Sequence, residues 1–347
     1  MAKHLVTGAC GFLGSEIVKK LSSMGEEVVS IDIFEDNEIS KISNLHLIDI
    51  SKSLDDHSNI FKEVKYVHHN AALIPISKSS YKQFYDVNVL GTKNVLDRSI
   101  KSNVEHFSHM SSSAIFGAPE KNQNVNTNIL NPKEDYGVSK SLAEQEVLKV
   151  FNEDKKYFKS CSIIRPRTIV GKNRLGIFGI LFDWVMSDKK IPIIGNGENK
   201  FQFAHFDDLT EVSVETALKN ISGYFNIGTD KYSTLKEDLN SFFSCVNSKS
   251  KVLPINKDLC VGSLYLLGKL RLSPLTAYHS LVYHKNFYYN LDETFKKLSW
   301  RPKYSNVEML CEAFNWYKLN YKLLKQNNSI HKSVIKQKIF RVIKFFL

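Results

Sequence analysis

The sequence predicts an α/β protein built on a parallel sheet and followed by a smaller lobe. Over residues 1–166, short apolar runs alternate with segments of helical periodicity, a rhythm typical of βαβ units. The stretch TGACGFLG, residues 7–14, places three glycines between the first apolar run and the first helical segment. From about residue 167 the rhythm changes to longer helices and aromatic segments. The predicted fold is therefore a Rossmann-type doubly wound parallel sheet with a smaller C-terminal α/β substrate lobe.

The elements of the first part follow in order along the chain. Apolar runs predict strands at 3–8, 28–32, 65–72, 104–112 and 161–166. Helical spacing predicts helices at 15–24, 81–101 and 136–151. The first helix has Ile17, Val18 and Leu21 at helical spacing, and Gly25 stands where a helix C-terminal glycine belongs.

The change of rhythm divides the chain into three parts. Residues 1–166 form the predicted dinucleotide-binding domain, residues 167–325 most of the substrate lobe, and residues 326–347 a basic tail. The segments 201–209 and 224–228 look strand-like, so we expect the region near 201–228 to rejoin the main sheet.

Composition excludes several classes of function. The five cysteines are scattered without a CxxC pair or a Cys/His cluster, which argues against a metal site and a disulfide framework. The net charge is +11, but the lysines are spread along the chain, so nucleic acid is not an expected partner. We see no signal segment and no apolar run of membrane-spanning length, which predicts a cytoplasmic protein.

The glycine turn predicts a dinucleotide site. Gly8 permits a tight turn, Gly11 lets the backbone approach a pyrophosphate, and Gly14 lets helix and strand pack closely. The following helix N-terminus favours phosphate. Asp32, at the end of the second strand, can accept hydrogen bonds from both ribose hydroxyls and would repel a 2′-phosphate. These features favour NAD over NADP.

The stretch YGVSK carries the predicted chemistry. It places Tyr136 and Lys140 at i and i+4 on one face of a helix. An ammonium one turn away stabilises a phenolate and lowers the tyrosine pKa, so Tyr136 can act as a base. Ser112, at the end of the fourth predicted strand, can donate to the same substrate oxygen, with Ser111 and Ser113 as alternatives.

These motifs together resemble the extended short-chain dehydrogenases/reductases, in the NAD-dependent epimerase/dehydratase family. HNAAL, NVLGTKNVL, SSSAIFG, RPRTIVG, FQFAHFDDL and LSWRP match in order across nearly the whole chain. The resemblance implies catalytic roles for Tyr136, Lys140 and Ser112. It implies that further residues hold the cofactor beside Tyr136 and Lys140, namely Gly8, Gly11, Phe12, Leu13, Gly14, Asp32, Asp49, Ile50, Ala71, Ala72, Asn88 and Pro166. It also implies a homodimer through the helices at 81–101 and 136–151.

Three reactions compete within this family. A dehydratase needs an extra acid and base after the catalytic hydroxyl, and Ser113 and Ala114 cannot serve. A nucleotide-sugar or lipid-linked-sugar 4-epimerase needs only a retained cofactor and the proton relay formed by Ser112, Tyr136 and Lys140. The third is a dehydrogenase or reductase of a hydrophobic alcohol, resembling the 3β-hydroxysteroid dehydrogenases, which the apolar segment 259–284 favours.

The substrate residues are less well marked. Nucleotide-sugar epimerases usually carry arginines at positions that correspond here to Phe201 and to residues 283–285, which read Tyr-His-Lys. Without them, the candidates for binding a sugar substrate are Ser113, Arg167, Arg174 and Lys200.

The basic tail predicts a surface role. Ile335, Ile339, Val342, Ile343 and Phe346 fall on one helical stripe, and the last 20 residues contain no acid. Such a cationic amphipathic helix can lie at the inner face of a membrane, or it can pack on the protein itself.

Overall fold

The computed structural model describes residues 1–75, 79–117, 130–153, 157–173, 175–260, 262–263, 282–326 and 344. Seven strands form one parallel sheet in the order β10-β6-β5-β4-β1-β2-β3. Their bounds are β1 Lys3–Thr7, β2 Glu27–Asp32, β3 Asn44–Leu47, β4 Tyr66–His69, β5 His106–Met110, β6 Ser160–Pro166 and β10 Gly223–Ile227. The order reverses between β1 and β4, which is where such sheets bind ligands. The predicted doubly wound fold is confirmed.

Helices flank this sheet on both faces. They are α1 Phe12–Ser23, α2 Asn37–Ile42, α3 Tyr81–Phe84, α4 Gly91–Lys101, α5 Asp135–Glu153 and α7 Phe206–Leu218. A π-helical segment, Tyr85–Leu90, joins α3 to α4, so the helix predicted at 81–101 is continuous. The edge strand β3 and the helix α2 escaped the sequence analysis.

Apolar side chains cover both faces of the sheet, as a parallel sheet requires. On one face Ile17, Val18 and Leu21 of α1 pack with Leu209 and Val212 of α7. The other face is covered by α4 and α5, whose buried members include Val95, Leu96 and Val147. The sheet is therefore a rigid base for the loops at its carboxyl edge.

The lobe has its own core. Its remaining elements are α6 Phe178–Val185, β8 Ile191–Ile194, α8 Leu235–Cys245, β11 Val252–Ile255, α9 Asp292–Lys297 and α10 Asn306–Gln326. Phe182, Phe242, Phe314 and Tyr317 pack together at its centre. The scattered cysteines argue against a disulfide framework, but α8 and α10 bring Cys245 and Cys311 together in a disulfide across 66 residues of sequence.

The two segments expected to rejoin the main sheet behave differently. Gly223–Ile227 does so, pairing with β6. Within 201–209, β9 (Phe203–His205) pairs instead with β7 (Thr168–Val170) in a separate two-stranded sheet. Helix α7 begins directly afterwards, because His205 caps its first turn.

Most of the tail, from residue 327 on, and most of the apolar segment 259–284 lie outside the described residues. From the tail, Lys344 is described, and its Nζ lies 2.5 Å from Asp183 Oδ2 on α6. Within the described part of the chain, no helix is both long and apolar enough to span a membrane.

Candidate active site

A cleft of about 520 Å³ opens at the carboxyl edge of the sheet, where the strand order reverses. Its walls come from the glycine turn, the ends of β2, β4, β5 and β6, the start of α5 and the lobe. Most of the predicted site residues line it: Gly8, Gly11, Phe12, Leu13, Gly14, Asp32, Asp49, Ile50, Ala71, Ala72, Ser112, Ser113, Tyr136, Lys140, Pro166 and Arg167.

The glycine turn allows the end of β1, the start of α1 and the segment after β4 to approach one another closely. Gly8 has φ +67°, and a Cβ there would lie 2.8 Å from the Ala71 backbone. A Cβ on Gly14 would lie 2.0 Å from the Gly8 carbonyl oxygen. Gly11 stands at the N-cap of α1, and no side chain caps that end. The positive end of the helix therefore meets the cleft, as phosphate binding requires.

Asp32 closes the end of the cleft beyond the turn. One carboxylate oxygen accepts from the Cys10 amide at 2.9 Å, and the other from the Ile33 and Phe34 amides at 2.7 and 3.1 Å. Ile33 and Phe34 are apolar and line the same part of the cleft. A carboxylate beside apolar side chains suits a ribose with free hydroxyls better than a 2′-phosphate, so the residues present fit NAD.

Tyr136 and Lys140 project from the first turns of α5 into the cleft. Lys140 is 2% exposed, and its Nζ donates to the Met110 carbonyl at 2.6 Å. Burial lowers the pKa of Lys140 to about 8, and the Glu144 carboxylate opposes this shift. The hydrogen bond to Met110 thus holds the Lys140 ammonium in place, and burial brings its pKa closer to neutral pH.

The three serines after β5 have different surroundings. Ser111 is buried and donates its hydroxyl to Glu144 Oε2 at 2.7 Å. The Ser112 oxygen accepts from the Ala114 amide at 3.2 Å and caps the short 3₁₀ helix Ser113–Phe116. Ser112 is half-buried, whereas Ser113 is 5% exposed. Among the three, Ser112 combines access to the cleft with a hydroxyl not directed at Glu144.

Asn88, expected to contact the cofactor, does not line the cleft. It is buried in the π-helical segment, accepts from the Leu73 amide at 2.7 Å, and donates to Leu73 O at 3.1 Å and Ser139 Oγ at 2.9 Å. It therefore joins the 71–73 wall of the cleft to α5. An asparagine suits this position because its side-chain amide both donates and accepts hydrogen bonds.

The expected substrate residues are separated in the structure. Lys200 is exposed and does not line the cleft, while Arg174 lies outside the described residues. Arg167 lines the cleft, but its guanidinium is buried, with Cζ 3.6 Å from the Phe287 ring centroid and 4.8 Å from that of Phe201. Phe201 in turn stacks on Tyr283 at 4.8 Å. Aromatic packing thus occupies both positions where arginines were expected.

Two buried ionisable residues of the site escaped the sequence analysis. Glu144 lies one turn beyond Lys140 on α5, and Arg165 lies near the end of β6. The Glu144 carboxylate accepts from Arg165 Nε at 3.2 Å, and Arg165 Nη2 bonds its other oxygen. The i, i+4, i+8 spacing of Tyr136, Lys140 and Glu144 was the available signal.

A family model and several relatives match the chain. The model described as "NAD dependent epimerase/dehydratase family" covers residues 4–228. An uncharacterized protein, y4nG, of Sinorhizobium fredii is 33% identical over 99% of this chain and 86% of its own length. A putative UDP-glucose 4-epimerase of Methanocaldococcus jannaschii is 31% identical over 67% of this chain and 79% of its own. An N-acetyl-alpha-D-glucosaminyl-diphospho-ditrans,octacis-undecaprenol 4-epimerase of Escherichia coli O157:H7 is 28% identical over 64% and 65%.

The fold has solved counterparts. MoeE5, determined in complex with UDP-glucuronic acid and NAD, superposes with a TM-score of 0.74 over 92% of this chain and 100% of its own. At 20% identity, this likeness establishes the fold alone. With the family model, the relatives and the confirmed sheet, the chain belongs to the NAD-dependent epimerase/dehydratase family of enzymes.

Proposed function

We propose that this enzyme epimerises a sugar at C4 through a transient 4-keto intermediate, on a nucleotide-activated or lipid-linked sugar. One observation carries the proposal: Tyr136 and Lys140 lie one turn apart on α5 and line the same cleft as the glycine turn and Asp32. Relatives whose names specify 4-epimerisation of UDP-glucose and of a lipid-linked sugar support it.

NAD bound in the cleft would accept a hydride from the carbinol carbon and return it. It would be held by the glycine turn, with Asp32 on the adenosine ribose and the 49–50 and 71–72 segments along its length. These contacts fit the backbone cradle at Gly8 and Gly14 and the carboxylate at the end of β2.

The side chains move the proton. Tyr136, as the phenolate, takes the proton of the C4 hydroxyl as the C–H electron pair leaves. Lys140 stabilises that phenolate, and its bond to Met110 O keeps the ammonium in position. Ser112 donates to the developing carbonyl oxygen. The proton returns from Tyr136 to that oxygen when the keto sugar is reduced on its opposite face.

A second candidate is a dehydrogenase or reductase of a hydrophobic alcohol. It is favoured by the apolar side chains that the lobe presents to the cleft, Leu175, Ile177 and Phe178. Ser113 and Ala114 supply no acid or base beside Ser112, so a dehydratase is the least supported of the three reactions.

The two candidates differ in what happens to the hydride. An epimerase regenerates NAD in each turnover, so we expect NAD in the ligand released by heat and epimerised sugar without NADH accumulation. The probes are UDP-glucose, UDP-N-acetylglucosamine and N-acetylglucosaminyl-diphospho-undecaprenol. NADH formed in proportion to product would overturn the epimerase in favour of the dehydrogenase.

We further propose that the enzyme is a homodimer and that residues 326–347 bind anionic lipid at the membrane surface. The tail's acid-free sequence supports the second point. Sedimentation with anionic liposomes tests it, because deletion of residues 328–347 should abolish co-sedimentation. Unchanged sedimentation after the deletion would contradict it.

A further inference from the structure

A buried ion pair lies directly behind the residues of the proposed relay. Glu144 is 0% exposed and Arg165 4%, and the guanidinium bonds both carboxylate oxygens. Neither residue lines the cleft. The pair therefore has no direct access to substrate.

This pair joins several elements of the site. Glu144 also accepts the Ser111 hydroxyl at 2.7 Å, and the Ser111 amide donates to the Ile164 carbonyl on β6 at 2.7 Å. The Arg165 guanidinium lies 4.1 Å from the Tyr224 ring centroid on β10 and 5.2 Å from that of Phe116. The Glu144 carboxylate on α5 therefore links the serine segment after β5, residues 111–113, to β6.

Stability alone is a poor reason for such an arrangement. Desolvation of two charges costs about as much as their attraction returns, so apolar side chains of similar volume often do as well. A carboxylate at this place has a specific electrostatic effect instead, since it opposes the lowering of the Lys140 pKa by burial.

The other titratable groups around Lys140 do not supply that charge. His69 on β4 and His109 on β5 interact with Lys140, and burial lowers the pKa of both far below neutrality, so they are uncharged. Tyr136 is on the same helix and is the group that the ammonium serves. Glu144 is the negative charge that acts on Lys140.

We propose that Glu144 and Arg165 are positioning residues for the relay. Glu144 keeps Lys140 an ammonium and holds the turn that carries Ser112, and Arg165 fixes the orientation of the carboxylate. This inference rests on the relay proposed above. It predicts that Glu144 governs the ionisation of Tyr136 without touching substrate.

The test measures Tyr136 ionisation in the NAD-loaded enzyme, without substrate. Ultraviolet difference absorbance between each protein and its Tyr136→Phe counterpart reports the phenolate as pH rises. Glu144→Gln keeps the shape and removes the charge, so Lys140 loses its proton at lower pH and no longer supports the phenolate. We expect the Tyr136 titration to move to higher pH by about one unit.

A matched control separates charge from packing. Asp238→Asn neutralises another buried carboxylate, which accepts from Asn306 Nδ2 at 2.7 Å in the lobe and does not line the cleft. It should leave the Tyr136 titration unchanged. If Glu144→Gln does not fold, the double variant Glu144→Gln/Arg165→Met, which is uncharged at both positions, should show the same upward shift.

The outcomes distinguish this inference from the proposed function. An active Tyr136→Phe enzyme overturns the relay itself. An inactive Tyr136→Phe enzyme, together with a titration that Glu144→Gln or the double variant leaves in place, overturns the role of Glu144 alone. A shift of the same size in Asp238→Asn also overturns it, because the effect would then be one of general packing.

Discussion

The two sides of the cleft are built differently. On the cofactor side the backbone makes the site: the Gly8 turn, the start of α1 and the amides that hold Asp32. On the lobe side aromatic side chains from distant segments surround Arg167. A backbone site is encoded in a few consecutive residues, whereas an aromatic cluster depends on how remote segments meet. The residues that bind the cofactor can therefore be predicted from this sequence, whereas the residues that select the substrate cannot.

The largest expected effect comes from the chemistry between the two sides. Tyr136→Phe removes the proposed base and leaves the backbone cradle intact. Turnover should fall by about 10²–10⁴-fold, while the NAD dissociation constant stays near that of the unchanged protein. Near-normal turnover would show that the two sides meet around some other base.

The next effect tests the backbone character of the cofactor side. In Gly14→Ala the new Cβ would lie 2.0 Å from the Gly8 carbonyl oxygen, so α1 and β1 must separate. We expect NAD binding to be lost and the free energy of unfolding to fall by about 1–3 kcal/mol. Gly262→Ala is the control, because a Cβ there meets no atom within 4 Å. Isothermal titration and urea denaturation measure both, and equal behaviour of the two variants would contradict the cradle.

Acid should affect the cofactor side through its buried histidines. Five of them lie on β1, β4 and β5: His4, His68, His69, His106 and His109. Burial lowers the pKa of every one, to about 4 for His4 and about 3 for His69 and His106.

The sign follows from proton binding. The unfolded chain takes up these protons near pH ~6.5 and the folded protein only at lower pH, so stability is full above pH ~6.5 and is lost as pH falls. Every histidine that the fold keeps neutral should add to this loss of stability. Urea denaturation at pH 7 and pH 5 measures the loss, and His106→Asn should reduce it. A free energy of unfolding independent of pH over this range would exclude the mechanism.

The smallest effect concerns the lobe side. Arg167→Met removes the guanidinium that lies over the Phe287 and Phe201 rings. We expect the free energy of unfolding to fall by about 1–2 kcal/mol, with NAD affinity unchanged. Thermal denaturation measures the change in stability, and NAD titration measures the affinity. A large loss of NAD affinity would mean that the two sides are not independent.

The sequence revealed what depends on local spacing. The glycine turn, the Asp32 strand end and the i, i+4 pair of Tyr136 and Lys140 could all be placed before the structure was known, because each is a short pattern with a physical reason. Arg165 and Glu144 could not be paired in advance, since they lie on different elements and meet only when β6 packs beside α5. The Cys245–Cys311 disulfide was missed for the same reason, and Asn88 was given a cofactor role that its position behind the cleft wall does not support.

Asn88 has a consequence for how such an enzyme can be altered. Its side-chain amide joins the 71–73 wall to α5. Its backbone carbonyl accepts from the Thr92 hydroxyl, and hydrogen bonds continue from Thr92 through His69 to Thr7 at the end of β1. These hydrogen bonds couple the 71–73 wall to the helix that carries Tyr136. A substitution that moves one of them should therefore move the other. The lobe has no share in this linkage among the described residues. A change of substrate specificity is best sought by exchanging segments of the lobe while the sheet and α5 are left unaltered.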